Sequence, residues 1–424
     1  MAEPRRSLLT EERTGRGEPS RYAAELFEGL RRWPGRTALR DGDRSVSFGE
    51  LVERSSRIAR ALEDMGMTHR EGVVCLAGNS PEHVAVRLAA HLLGCRFVPL
   101  HAGDPADVAA ARTVAAEQRP AVFVVDRRGA AALGAPEPGV LSLGVPGFGT
   151  DLSALAARMP GGPMRPRARE QDVALVAYSR GTTGPRRGAV HRFAAMNVTW
   201  RRPHEGELGD FPAGVTTLAV SPLAGNGGEV ALMLMRAGCT VMLMNGFDAG
   251  RVLATVASER ITSTYLPAHH FTELVAHPDL GRTDLSSLRY LPYGNGPVPA
   301  AVVRRAVEAF GPILSQNYVS SEVRAISLLR QEDHRAAAGP RPELLGSVGQ
   351  PLPAVGVRVC GPDGERRPAG RSGEIRLRAP HMMSGYWRDP AATRRVLDGG
   401  WLRTGDVGRV DREGYLYLEG RLPG

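Results

Sequence analysis

The sequence predicts an α/β fold with two covered, parallel-type sheets (an αβαβα sandwich) followed by a small antiparallel, barrel-like β subdomain. Three observations carry this expectation. Short continuous apolar runs such as Val73-Val74-Cys75-Leu76 and Val122-Phe123-Val124-Val125 alternate with helical stretches, as strands buried on both faces do. Near Gly346 the pattern changes, and residues 355–359, 374–378 and 415–418 form short runs separated by Gly, Pro and Asp turns. The composition is that of a globular protein, with 42% hydrophobic and 23% charged residues, enough to bury a sizeable core.

The elements follow in order along the 424 residues, a length that suits two or three domains. Residues 1–20 read as a disordered basic tail, since no apolar stretch follows Arg5-Arg6 to make a signal peptide. Residues 21–170 form a first α/β subdomain. In it Ser47 and Glu50 make a capping box for a helix carrying Leu51, Ile58 and Leu62, and Ser80-Pro81 opens another. The stretch 127–169, rich in Ala, Gly and Pro, reads as looser connecting structure. Residues 171–345 form a second α/β subdomain, with strands at 173–176, 241–244 and 263–266. Residues 346–421 form the small β subdomain, in which 374–378 alternates polar and apolar residues and so has one wet face.

Charge and cysteine content narrow the function classes. The formal net charge is +9 and every one of the 54 basic residues is Arg. These Arg are interleaved with Asp and Glu instead of forming a stripe, which argues against a nucleic-acid partner. Cys75, Cys95, Cys239 and Cys360 have neither metal-ligand nor redox spacing and read as buried thiols of a cytoplasmic protein. No apolar run is long enough for a membrane span.

The strongest chemical signal is Tyr178-Ser179-Arg180-Gly181-Thr182-Thr183-Gly184-Pro185-Arg186-Arg187-Gly188, directly after an apolar strand. Small residues let backbone N–H groups approach phosphate oxygens, the hydroxyls add donors, and Arg187 adds fixed positive charge. The Walker pattern is absent. His191, His269 and His270 read as packed or solvated.

This loop resembles the signature loop of the adenylate-forming superfamily, whose members include acyl-CoA synthetases, luciferases and peptide-synthetase adenylation domains. Further elements follow in that family's order. Residues 46–51 look like its "TYxEL" element, 93–100 like "GxxxVPL", and Gln316-Asn317-Tyr318-Val319-Ser320-Ser321-Glu322 like "YGxTE". Gly373-Glu374-Ile375 with Gly385-Tyr386-Trp387, then Thr404-Gly405-Asp406 and Gly420-Arg421, match the later elements. The resemblance implies roles. Ser179, Gly181, Thr182, Thr183, Gly184, Arg187 and Ser321 would bind the phosphates of ATP. Tyr318 would stack on adenine above the turn Gly294-Asn295-Gly296-Pro297. Asp406 would hold the ribose, Arg421 would reach the ribose or the phosphate, and Glu322 would ligate Mg²⁺. Arg187, Ser321 and Glu322 are the expected catalytic residues. The implied reaction is attack of a carboxylate on the α-phosphorus of ATP, with pyrophosphate leaving. Thioester formation with coenzyme A or an acyl carrier protein would follow, in fatty-acid or secondary metabolism.

The sequence also departs from the family. Arg180, Arg186 and Arg187 replace a small residue, Pro and Lys; Val319 replaces Gly and Ser321 replaces Thr. The element 221–228 resembles "PLFHxxG", with Ala224 and Gly225 in place of an aromatic residue and His. Gly225, Asn226 and Gly227 would border the acid pocket, and the lost bulk implies a wider or differently shaped cavity. The family continues past Gly420-Arg421 into a small domain carrying a Lys that bridges carboxylate and α-phosphate. The expectation is therefore a large domain whose C-terminal partner is separate or missing. Two alternatives stay open: a catalytically impaired nucleotide-binding module, and an enzyme activating a small non-carboxylate anion.

Overall fold

The strand Gly72–Ala77 is buried at every position and is the centre of a seven-stranded sheet. The computed structural model describes residues 17–119, 121–136, 139–179, 186–201 and 214–422. Across this sheet the strand order is 150–151, 140–142, 121–125, 72–77, 96–101, 173–178 and 188–192. All neighbours are parallel except the last pair. Parallel pairing needs crossover helices, and the sequence supplies well-capped ones. Ser80 Oγ accepts from His83 N at 3.2 Å and Pro81 takes the first position of helix Pro81–Leu93. Ser47 and Glu50 form the expected capping box of helix Phe48–Asp64, whose Leu51, Ile58 and Leu62 are buried.

Two five-stranded sheets make up the rest of the α/β body, ordered 263–264, 216–219, 240–243, 37–41, 44–47 and 266–267, 291–294, 314–320, 324–329, 350–351. The run 263–266, expected as one strand, divides between them at Tyr265. An apolar run that switches sheets has the same local pattern as one that does not. Sheet membership also fails to follow chain order across residue 171: strands 173–178 and 188–192 join the seven-stranded sheet, and the 37–47 hairpin joins strands 216–264. Such pairings are long-range, and composition does not encode them. The stretch 127–169 is not merely connecting. It holds the helices Arg127–Leu133 and Leu152–Ala157 and the strands Val140–Ser142 and Thr150–Asp151, which extend the sheet. Strands of two or three residues are too short for periodicity to show.

The antiparallel part is as the sequence predicts. Strands 356–360, 373–378, 401–410 and 397–398 pair in that order, and 416–421 pairs with 401–410. Val359, Ile375, Leu377, Leu402 and Leu416 form a shared core with Val323 and Ile326 of the second α/β half. The segment 384–387 then stitches this sheet to the strand Gly188–Arg192. Val190 N donates to Gly385 O at 2.9 Å, Ser384 N to Val190 O at 2.8 Å, and Trp387 N to Gly188 O at 2.7 Å. The Arg96 guanidinium covers the Trp387 ring at 4.5 Å. All four cysteines are buried and unpaired. Among the described residues no helix is long and apolar enough to cross a membrane.

Candidate active site

The strand Leu314–Ser320 delivers Tyr318 to the junction with the antiparallel sheet. Its hydroxyl donates to Asp406 Oδ2, on the strand Trp401–Val410. Arg421, paired in register with Asp406, donates from Nη1 to Asp406 Oδ1 at 2.9 Å and from Nη2 to Thr404 O at 3.3 Å. Thr404 Oγ1 accepts from Asp406 N at 2.9 Å and donates to Ile375 O at 2.7 Å, which fixes the carboxylate. Burial, then the Asp406 charge, pushes the Tyr318 phenol well above its usual range. Tyr318, Asp406 and Arg421, separated in sequence, are thus one hydrogen-bonded group.

The strand Leu291–Gly294 runs parallel beside Tyr318 and ends in the expected turn. A side chain on Gly294 would place its Cβ 2.1 Å from the Asn317 carbonyl oxygen, so the close strand approach needs glycine here. Asn295 follows with φ +56 and Gly296 with φ +152, and Asn295, Gly296 and Pro297 are exposed.

Ser179 follows the strand Val173–Tyr178. Its N–H donates to Arg187 O at 3.0 Å, and its Oγ accepts from Arg187 N at 3.3 Å. These bonds close the neck of the glycine-rich loop. Gly181, Thr182, Thr183 and Gly184, with Arg180 and Pro185, lie outside the described residues. Arg186 turns away and pairs with Asp107. The Arg187 guanidinium lies 5.7 Å from the Tyr386 ring centroid, with Nε 3.7 Å from Asp389 Oδ2. The Tyr386 hydroxyl in turn donates to Glu322 Oε1 at 3.0 Å. Sequence reasoning did not select Tyr386 as a site residue, although it lies in the Gly385-Tyr386-Trp387 element.

Ser321 and Glu322 occupy the turn between Leu314–Ser320 and Arg324–Leu329, and histidines pin it. His191 Nε2 donates to Ser321 O at 2.8 Å, and His381 Nε2 to Ala325 O at 2.9 Å. Met383 N donates to Glu322 O at 2.6 Å. Burial, then the Arg324 charge, lowers His191 to about 3, so the ring is neutral. Among the described residues no cluster of three His, Cys, Asp or Glu could hold a metal alone. A lone Glu322 carboxylate suits a hard ion that takes most of its shell from phosphate and water.

Beside this site a narrow cleft lies between the sheets and helix Asn226–Arg236. Asn226, Gly227, Glu229, Tyr265, Val319 and Arg324 are among its walls. Gly225 instead caps the helix and does not line the space. The space is narrow and carries charge, because the Arg324 and Glu229 side chains occupy its wall.

A family model for AMP-binding enzymes matches residues 26–387, a span that includes the loop, Tyr318 and Glu322. The chain belongs to the AMP-binding enzyme family. This AMP-binding enzyme is 33% identical over 401 residues to the indoleacetate–CoA ligase of Aromatoleum aromaticum, a match spanning 92% of this chain and 76% of the relative. It is 33% identical over 417 residues to a feruloyl-CoA synthase of an Amycolatopsis species, over 93% and 79% of the two chains. Among solved structures it is similar to the amide bond synthetase McbA of Marinactinospora thermotolerans, with a TM-score of 0.81 and 35% identity over 95% of this chain and 79% of that one. The AMP-binding enzyme is adenylate-forming and of the acyl-CoA synthetase type, which uses ATP to activate a carboxylic acid.

Proposed function

We propose that this ligase adenylates a compact carboxylic acid seated in the cavity beside helix Asn226–Arg236 and passes the acyl group to the thiol of coenzyme A. The observation that carries the reading is the paired arrangement at the sheet junction: Tyr318–Asp406–Arg421 on one side and Arg187–Tyr386–Glu322 on the other. The first group has an aromatic face for adenine and a carboxylate suited to the ribose hydroxyls. The turn 294–297 lies at the end of the neighbouring strand, under the base. The second group, with Ser179 and Ser321, is assigned to the phosphates, a role that Gly181, Thr182, Thr183 and Gly184 of the glycine-rich loop would share. Arg187 supplies positive charge where negative charge accumulates as pyrophosphate leaves. Glu322 would hold Mg²⁺, which when bound neutralises phosphate charge. The cavity would position the acid for attack on the α-phosphorus, and such positioning supplies much of the rate.

The acceptor is the finer point. The relatives named as CoA ligases support a thiol, whereas the 35% identity to an amide bond synthetase favours an amine as a second reading. Supplying the enzyme with ATP, acid and either coenzyme A or a panel of amines separates them. A thioester product supports the first reading; an amide with no thioester supports the second.

A further inference from the structure

Three elements bring charged side chains to one buried point behind the cavity. Arg87 of helix Pro81–Leu93 donates to Glu229 Oε1 of helix Asn226–Arg236, and Arg324 Nη2 lies 3.3 Å from Glu229 Oε2. Arg87, Glu229 and Arg324 are 2%, 6% and 7% exposed. Burial pushes the Glu229 carboxyl up, but Arg324 and then Arg87 outweigh it and hold it down to about 2, so it is an anion. Burial lowers His91 and His191 to about 3, so neither adds charge at neutral pH. The cluster therefore holds two guanidinium groups against one carboxylate among the described residues. One buried positive charge is in excess, and such a charge is costly without a partner.

Two members of the cluster border the cavity. Arg324 and Glu229 line it, whereas Arg87 lies behind them. The buried Nε of Arg324 has no hydrogen-bond partner. Arg324 also stands at φ +72, a left-handed conformation unfavourable for a bulky residue, so a large cation is held where glycine would fit most easily.

We propose that Arg324 is the specificity-determining residue of the acid pocket and selects carboxylic acids bearing a second anionic group at the end away from the carboxylate that is adenylated. This rests on the cavity being the acid site. A second carboxylate accepts a charge-assisted hydrogen bond from Arg324 and balances the cluster. An apolar end of equal size leaves the donor unpaired and the charge uncompensated. Glu229 does not repel the ligand outright, because its own charge is shared between two guanidinium groups.

The test compares matched acids with the wild-type enzyme, ATP and Mg²⁺: adipate with hexanoate, and benzene-1,4-dicarboxylate with 4-methylbenzoate. Adenylate is identified by mass spectrometry and pyrophosphate release gives the rates. The diacid is preferred in at least one pair by about 10-fold or more in kcat/KM, and Arg324→Met abolishes that preference. Preference for the monoacid in both pairs overturns the inference. A diacid preference that survives Arg324→Met overturns the role of Arg324. If that variant does not fold, Arg324→Gln, which keeps a donor and removes the charge, takes its place and must also lose the preference. Adenylates formed without preference refute this inference alone; no adenylate from any acid refutes the underlying acid-site reading as well.

Discussion

The Tyr386 hydroxyl donates to Glu322 Oε1 at 3.0 Å, joining residues 64 positions apart beneath the Arg187 guanidinium. Tyr386 thereby orients the carboxylate that would hold Mg²⁺. Glu322→Gln is expected to lower adenylation by about 100-fold or more and to flatten its Mg²⁺ dependence. Tyr386→Phe keeps the ring and removes one hydrogen bond, so a smaller loss of roughly 3- to 10-fold is expected. Pyrophosphate release across a Mg²⁺ titration checks both; an unchanged Mg²⁺ response in Glu322→Gln contradicts the assignment.

Asp406 gathers Tyr318 and Arg421 and is assigned to the ribose. Asp406→Ala removes charge-assisted bonds to both neighbours and to the nucleotide. ATP affinity measured by calorimetry is expected to weaken by about 10- to 100-fold, in line with roughly 1.5–3 kcal/mol for such bonds. Unaltered affinity would remove Asp406 from the nucleotide site.

Much of this group was legible in the sequence. Tyr318, Glu322 and Asp406 sit in short motifs whose order survives even where neighbours such as Val319 and Ser321 differ from the family pattern. The fold class was legible too, because buried strands and well-capped helices leave local signatures such as Ser47–Glu50 and Ser80-Pro81. The Arg87–Glu229–Arg324 cluster was not. Arg87 and Glu229 lie 142 positions apart on two helices, and a charged residue in an otherwise apolar helix looks like a solvated one until packing is known. The sheet switch at Tyr265 was hidden for a related reason, since strand pairing is decided by distant partners.

Buried histidines set the acid response. Burial lowers His83, His91 and His191 to about 3 and His334 to about 4. An unfolded histidine titrates near about 6.5. Between these values the unfolded chain binds more protons than the folded one, so stability rises with pH across that window. It is fully present above about pH 6.5 and is lost progressively as pH falls towards about 3, by up to about 1.4 kcal/mol per pH unit for each histidine. Urea midpoints at about pH 7 and about pH 5 should differ accordingly, and His91→Phe should shrink the difference. Equal midpoints in the wild type would contradict the buried, neutral state.

Gly294 tests the adenine side by sterics. Its Cβ would meet the Asn317 carbonyl oxygen at 2.1 Å, and that oxygen is a backbone atom that cannot swing aside. Gly294→Ala is expected to cost about 1–3 kcal/mol of stability and to weaken ATP binding by displacing the strand that carries Tyr318. Thermal unfolding with and without ATP measures both effects; full stability in the variant would show that the strands have room.

The most direct test of the central claim is a mass-spectrometric search for acyl-adenylate. The full chain is incubated with ATP, Mg²⁺ and a pool of compact mono- and dicarboxylic acids. The account predicts a new acyl-adenylate with matching pyrophosphate release, both lost in Glu322→Gln. Bound ATP with no adenylate from any acid would contradict it.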